Sequence, residues 1–279
     1  MSPIRSVLVH LDGTARAAAR LQFAHRLAAT HKARLDALFA VTPRFLPLPV
    51  PLGDGMPAVP LLDEVDPRHR ADAKALFDRT VAEGAQASSW HELDTSEAPI
   101  AGFVRRALLA DLLVLGQRDA ADATGFDVPA DFVEAVVIDS GRPALIVPFE
   151  GEVAEVPQTV LIAWKPTRES AHAVTAALPF LQRARTVHAV CDGDDVVDAH
   201  QALAELAHYL RWHGIAATHD HHTLPEIDVG SGLLGLARHV GAELLVMGCY
   251  GHSRARELVL GGASRGVLRA TRVPVLMAH

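Results

Sequence analysis

Short apolar runs alternate along this chain with longer stretches in which apolar residues recur every three or four positions. In the second half the alternation is strict. It predicts strand 159–164, helix 168–183, strand 186–191, helix 195–213, strand 215–222, helix 230–240, strand 243–248, helix 264–271 and strand 273–278. The strand runs are continuously apolar, as in Leu244-Leu-Val-Met247, rather than apolar on every second residue. That pattern belongs to strands covered on both faces. Strict strand–helix alternation implies an α/β fold, a doubly wound parallel sheet with right-handed crossovers and helices on both sides. Such sheets take ligands at the carboxyl ends of their strands, where the strand order reverses.

Three segments recur in order. Ser6-Val-Leu-Val-His-Leu11 matches Thr159-Val-Leu-Ile-Ala-Trp164, Asp111-Leu-Leu-Val-Leu-Gly116 matches Glu243-Leu-Leu-Val-Met-Gly248, and Arg142-Pro-Ala-Leu-Ile-Val147 matches Val273-Pro-Val-Leu-Met-Ala278. The chain is therefore two tandem domains, 1–149 and 158–279. The first pair of segments lies further apart in sequence than the other two, so the first half carries an insertion. The insertion is the Pro- and Gly-rich stretch 43–67, read as an irregular loop. The acidic stretch Glu150–Pro157 has neither period and reads as the linker.

The strand run ending at Gly248 leads into Gly248-Cys-Tyr-Gly251-His-Ser-Arg-Ala-Arg-Glu-Leu-Val-Leu-Gly261-Gly262-Ala263-Ser264, and a helical pattern follows. Glycines after a strand let the backbone turn and bring N–H groups close to a ligand, and glycines before a helix leave its first-turn N–H groups open. Together they suit phosphate.

These motifs resemble those of the universal stress protein family, in its tandem two-domain form. Tyr250-Gly-His-Ser253 resembles the phosphate loop, and Arg272–His279 resembles the last strand. The resemblance implies flavodoxin-like, Rossmann-like domains with strand order 3-2-1-4-5. It also implies a cytoplasmic stress-response role and an adenine nucleotide, ATP or AMP. The family site uses an Asp after the first strand and the glycine loop after the fourth. Carried over by position, the second half presents Lys165, Gly248, Gly251, His252, Gly261, Gly262, Ala263 and Ser264 as nucleotide-binding candidates. Gly262 stands where the family usually has Ser or Thr, and Lys165 stands where it has Asp. A lysine would neutralise phosphate as a point charge, which leaves any role of Mg²⁺ open. The first half keeps Asp12-Gly-Thr14 and Gly116, but Asp119 replaces the second glycine and Pro129 removes an N–H donor. It is expected to bind no nucleotide and to serve as a packing partner.

Family dimers pair through the last strand. The tandem chain is therefore expected to pack as an intramolecular pseudo-dimer through 143–148 and 273–278, so that neither apolar strand stays exposed. Whether whole chains form a homodimer is left open.

Composition narrows the function classes. The 279 residues are 49% hydrophobic but 5% aromatic, which suits an aliphatic two-layer core. A net charge of −7 disfavours nonspecific nucleic-acid binding. No apolar span is long enough to cross a membrane, and the first strand begins too early to leave room for a signal peptide. The two cysteines, Cys191 and Cys249, have no metal-type spacing, which fits a reducing compartment. His219 and His221 share one face of a predicted strand and offer two ligands of a three-ligand zinc site, or decorate a strand end. Arg254, Arg256 and Arg265 lie near the glycine loop. No Ser sits in a nucleophile elbow and no general base stands out, so no catalytic residue is assigned. A sensor or adaptor is the leading reading. A slow ATPase using His252 or Ser253, and a ligand-free interaction module, are the alternatives.

Overall fold

The computed structural model describes residues 4–42, 45–46, 61–62, 67–82, 84–94, 97–119, 127–151, 153–154, 156–191, 196–221, 228–249 and 262–279. The first half runs β1 (Ser6–Leu11), α1 (Ala17–His31), β2 (Arg34–Phe39), β3 (Phe45–Leu46), β4 (Leu61–Leu62), α2 (Pro67–Ala82), β5 (Ser88–Glu92), α3 (Pro99–Ala107), β6 (Leu112–Gly116), α4 (Phe132–Ser140) and β7 (Ala144–Val147). The second half runs β8 (Thr159–Trp164), α5 (Arg168–Leu181), β9 (Thr186–Cys191), α6 (Val196–Trp212), β10 (Ala217–His221), α7 (Val229–His239), β11 (Leu244–Gly248), α8 (Ala263–Ala270) and β12 (Val275–Ala278). Every element read from the pattern of the second half is present, with ends within two residues of the expectation.

One ten-stranded sheet crosses the molecule in the order β10-β9-β8-β11-β12-β7-β6-β1-β2-β5. Leaving out the short β3 and β4, each half has its strands in the order 3-2-1-4-5. All neighbours are parallel except β12 and β7, whose antiparallel pairing sets Leu276 opposite Leu145 and joins the halves. Strand alternation sends Val7, Val9 and Leu11 to one apolar layer and Leu8 and His10 toward the other. Both layers continue through the second half, with Val160 and Ile162 in one and Leu161 in the other.

The stretch 43–67 differs from a plain loop. Phe45–Leu46 pairs antiparallel with Leu61–Leu62, and Pro67 opens α2. Proline suits a first helical position because its missing N–H would have had no intrahelical partner. The linker is pinned to both halves. Arg272 pairs with Glu150 at 3.2 Å, and Arg16 Nη2 donates to the Gly151 carbonyl. Gly151 has φ 98°, and a Cβ there would lie 2.8 Å from the Arg272 carbonyl oxygen. A third link is the buried Gln117, whose Nε2 donates to the Leu268 carbonyl at 2.9 Å while its Oε1 accepts from Phe149 N. Among the described residues, no helix is long and apolar enough to cross a membrane.

Candidate functional site

The switch point of the second half lies between β8 and β11. These strands pair in parallel with Met247 beside Ala163, so their carboxyl ends, Trp164 and Gly248, finish together. Lys165 follows Trp164 and is exposed. Its carbonyl accepts from Thr167 N at 2.7 Å, a tight turn that delivers Thr167 to the N-cap of α5, where its side chain accepts from Ser170 N. The Trp164 indole Nε1 is buried and has no acceptor among the described residues.

Gly248 carries a packing demand that the sequence did not announce. A Cβ on it would lie 2.5 Å from Ser170 N and 2.7 Å from Glu169 C, both backbone atoms in the first turn of α5. Glycine is required here so that α5 can close onto the strand end. The helix after the loop begins with Gly262 as N-cap (φ −46°, ψ 156°), which offers no side-chain cap to the first turn of α8. Ala263 is the first helical residue and Ser264 is buried in that turn. Gly230 of α7 packs against Gly266, where a Cβ would lie 2.9 Å from the Gly266 Cα. Two glycines thus let the helices meet at backbone distance, and α7 braces the start of α8.

Gly251, His252 and Gly261 lie outside the described residues, as do Ser253, Arg254 and Arg256. So do the side chains of His219 and His221, although β10 forms at Ala217–His221. Among the described residues, no group of three His, Cys, Asp or Glu is placed to hold a metal ion. Both thiols are buried; Cys249 Sγ lies 3.4 Å from the Ala278 carbonyl, and Cys191 pairs with Trp164 across β8 and β9.

The equivalent point of the first half is filled by charge. Asp12 follows β1, is 5% exposed, and accepts from both the backbone N–H and the hydroxyl of Thr14, at 3.0 and 2.6 Å. Arg20, 3% exposed on α1, stands with Nη2 2.8 Å from Asp12 Oδ2, and its Nε donates to the His10 carbonyl at 2.7 Å. The Nη2 contact is an ion pair by distance, but its N–H bonds are not directed at an acceptor among the described residues. A Cβ on Gly116 would fall 1.9 Å from Arg20 Nη1, so here glycine makes room for a side chain. Counting from the matched strands, Arg20 corresponds to Ala173, which is fully buried.

His10 completes the cluster. Its ring lies 4.4 Å from that of Phe132, tilted by 34°, and meets Phe103 edge-on, and its Nε2 shares a hydrogen bond with the Ala40 carbonyl at 2.8 Å. Burial drives its pKa down to about 4; Asp12 works against that shift and Arg20 reinforces it. Burial alone would raise Asp12. Arg20, then His10 and the two Thr14 bonds, outweigh it and bring Asp12 down to about 2. Sequence reasoning found Asp12 and missed its partners. The available signal was a lone arginine among Ala17, Leu21 and Ala24, residues spaced to share one face of a helix, since a charge in that position calls for a buried counter-charge.

Beyond this cluster opens a cavity of about 790 Å³ at the carboxyl ends of β1 and β6, walled by α4 and by Arg265, Leu268 and Arg269 of α8 from the other half. Arg265 therefore lines the first half's cavity, a placement that its nearness to the glycine loop in sequence did not suggest.

A ten-stranded tandem of doubly wound units with a glycine-bearing switch point defines the class, and comparison with known proteins supplies the family. Residues 157–279 match the family model described as universal stress protein family. The second half of the chain thus carries a universal stress protein family domain. No curated protein sequence matches the chain. Among solved structures, a universal stress protein from Archaeoglobus fulgidus DSM 4304 superposes with TM-score 0.73 at 15% identity, covering 98% of this chain and 95% of that one. A functionally unknown protein from Pseudomonas aeruginosa PAO1 gives TM-score 0.58 at 14% identity, and a putative universal stress protein from Pseudomonas aeruginosa UCBPP-PA14 gives 0.57 at 15%. Each covers 98% of this chain and 92% of its own. At these identities the likeness carries the fold of the whole chain and nothing finer.

Proposed function

We propose that this protein is a cytoplasmic stress-response sensor or adaptor that binds one adenine nucleotide, ATP or AMP, in its second half. In this reading the domains are 1–149 and 158–279, and they act as an intramolecular pair through β7 and β12. The carrying observation is the second half's switch point. Gly248 closes the strand, Gly262 leaves the first turn of α8 without a side-chain cap, and among the described residues no buried pair like Asp12–Arg20 stands between β8 and β11, the buried Glu169 beside Gly248 being paired with the exposed Arg168. Open first-turn N–H groups after a glycine loop suit phosphate. Gly251, His252, Gly261, Ala263 and Ser264 complete the cradle, and Lys165 supplies positive charge from the facing loop.

No catalytic residue is assigned, so binding is favoured over hydrolysis. Mass spectrometry of ligand released from freshly purified protein tests the reading. An adenine nucleotide at about one per chain supports it. The same stoichiometry with phosphate release over time would favour a slow ATPase. Absence of nucleotide, together with no saturation by ATP, ADP or AMP at millimolar levels, would favour an interaction module.

A further inference from the structure

The first half was expected to be packing only, yet it holds a cavity of ligand size. We propose that this cavity is a second binding site, distinct in chemistry from the glycine loop, and that it takes a small monocarboxylate with an apolar body.

Three observations carry it. The cavity is built from both halves, because α8 brings Arg265 and Arg269 to a site otherwise formed by β1, β6 and α4. A ligand seated there would contact side chains of two domains whose relative placement is fixed by the β7–β12 pairing and by the Gln117–Leu268 bond. The wall is also mainly apolar, with Val128, Phe132, Val133, Phe149 and Leu268 on it.

Within that wall are polar groups without an aligned partner. Among the described residues, Arg20, 3% exposed and lining the cavity, has its Nη2 2.8 Å from Asp12 Oδ2 but with no acceptor in line, and the buried Nε of Arg16 has none. A buried donor left unmade costs free energy that an entering acceptor recovers. Guanidinium groups present paired N–H donors matched to a planar carboxylate.

Charge count sets the ligand's valence. Five arginines line the cavity: Arg16, Arg20, Arg118, Arg265 and Arg269. Four carboxylates stand with them: Asp12, Asp119, Asp131 and Glu134. His10, buried with its pKa pushed down to about 4, is neutral near pH 7. The excess is a single positive charge. It matches a monoanion and disfavours a phosphate dianion, which would meet three carboxylates beyond the one that Arg20 already pairs with.

The test uses the full chain without nucleotide, so its outcome is independent of the nucleotide reading. Phenylacetate, phenylphosphate and phenylacetamide share a ring and differ in charge. Titration calorimetry, or saturation-transfer NMR, is expected to show saturable binding of phenylacetate and at least tenfold weaker binding of the other two. The double substitution Arg265→Ala, Arg269→Ala is expected to weaken phenylacetate at least tenfold. Ala130→Trp at the exposed rim, which fills space without touching charge, is expected to block it and serves if the double variant fails to fold. No saturation by phenylacetate at millimolar concentration would overturn the proposal. So would affinity for phenylacetamide equal to that for phenylacetate, tighter binding of phenylphosphate, or binding that survives both changes.

Discussion

The two halves share a sheet order and a glycine at the end of the fourth strand, yet that glycine serves opposite ends. In the first half Gly116 accommodates the Arg20 guanidinium, which Asp12 holds in place beneath a neutral His10. In the second half the positions matching Arg20, Asp12 and His10 are Ala173, Lys165 and Ala163, and Gly248 admits the backbone of α5 instead. A buried side-chain ion pair is thus exchanged for close backbone packing and an exposed lysine. A duplicated fold can keep its switch point and change what occupies it, because the sheet needs only the glycine and not the chemistry beside it.

The comparison breaks most visibly at Asp12. Asp12→Ala leaves a buried arginine without its counter-charge, and the expected loss is about 3–5 kcal/mol of folding stability, read by denaturant unfolding. The double change Asp12→Leu with Arg20→Met is expected to recover most of it, since an apolar pair of similar volume avoids burying charge. The matching change at Lys165, exposed and in a loop, should leave the unfolding midpoint almost where it was.

A pH titration separates the halves next. His10 has a folded pKa of about 4 against an ordinary 6.5, so between those values the unfolded chain binds the proton and the folded chain does not. Stability is therefore expected to fall as pH drops from 6.5 to 4, by on the order of 3 kcal/mol at roughly 1.4 kcal/mol per unit. Asp12, with its folded pKa lowered from 3.8 to about 2, adds a further loss as pH falls through that lower window. His10→Gln should flatten the upper slope and leave the lower one. A variant that keeps the full slope between 6.5 and 4 would place its origin elsewhere.

The glycines sharpen the contrast. Gly248→Ala is expected to destabilise by about 1–3 kcal/mol, because the added methyl meets the α5 backbone and the helix must move. Trimming side chains should not rescue it. Gly116→Ala meets only the end of Arg20, so combining it with Arg20→Ala should cost less than the two single changes together. Equal rescue at both glycines would mean that the two packing arrangements are the same after all.

The last effect is read in ligand affinity rather than in stability. A charge-assisted contact from Lys165 to phosphate is worth about 1.5–3 kcal/mol, so Lys165→Ala should weaken nucleotide by roughly tenfold or more, with little dependence on Mg²⁺. Calorimetric titration of ATP into both forms, with and without Mg²⁺, checks this.

Periodicity made the fold legible. Continuous apolar strands such as Leu112–Leu115 and Leu244–Met247 announce burial on both faces, and the repeated segments announce the tandem. Long-range packing was not legible. Gly248 reads as a phosphate glycine in sequence, while its contact with Ser170 emerges only when α5 folds back on the strand. Arg265 sits just after the glycine loop in sequence, yet α8 carries it to the other half's cavity. Gln117 follows a strand like any loop residue, and nothing local indicates that its amide will bridge to Leu268. The Asp12–Arg20–His10 cluster was half legible, since the aspartate stood in a motif and the arginine hid in a run of alanines.

The central claim is that the two switch points differ in what they bind, with nucleotide confined to the second half. Its most direct measurement is the stoichiometry of ATP binding by titration calorimetry on the full chain, repeated with Gly251→Asp. The account predicts one site per chain, abolished by Gly251→Asp and unchanged by Asp119→Ala in the first half. Two sites per chain, or a single site that survives Gly251→Asp, would contradict it.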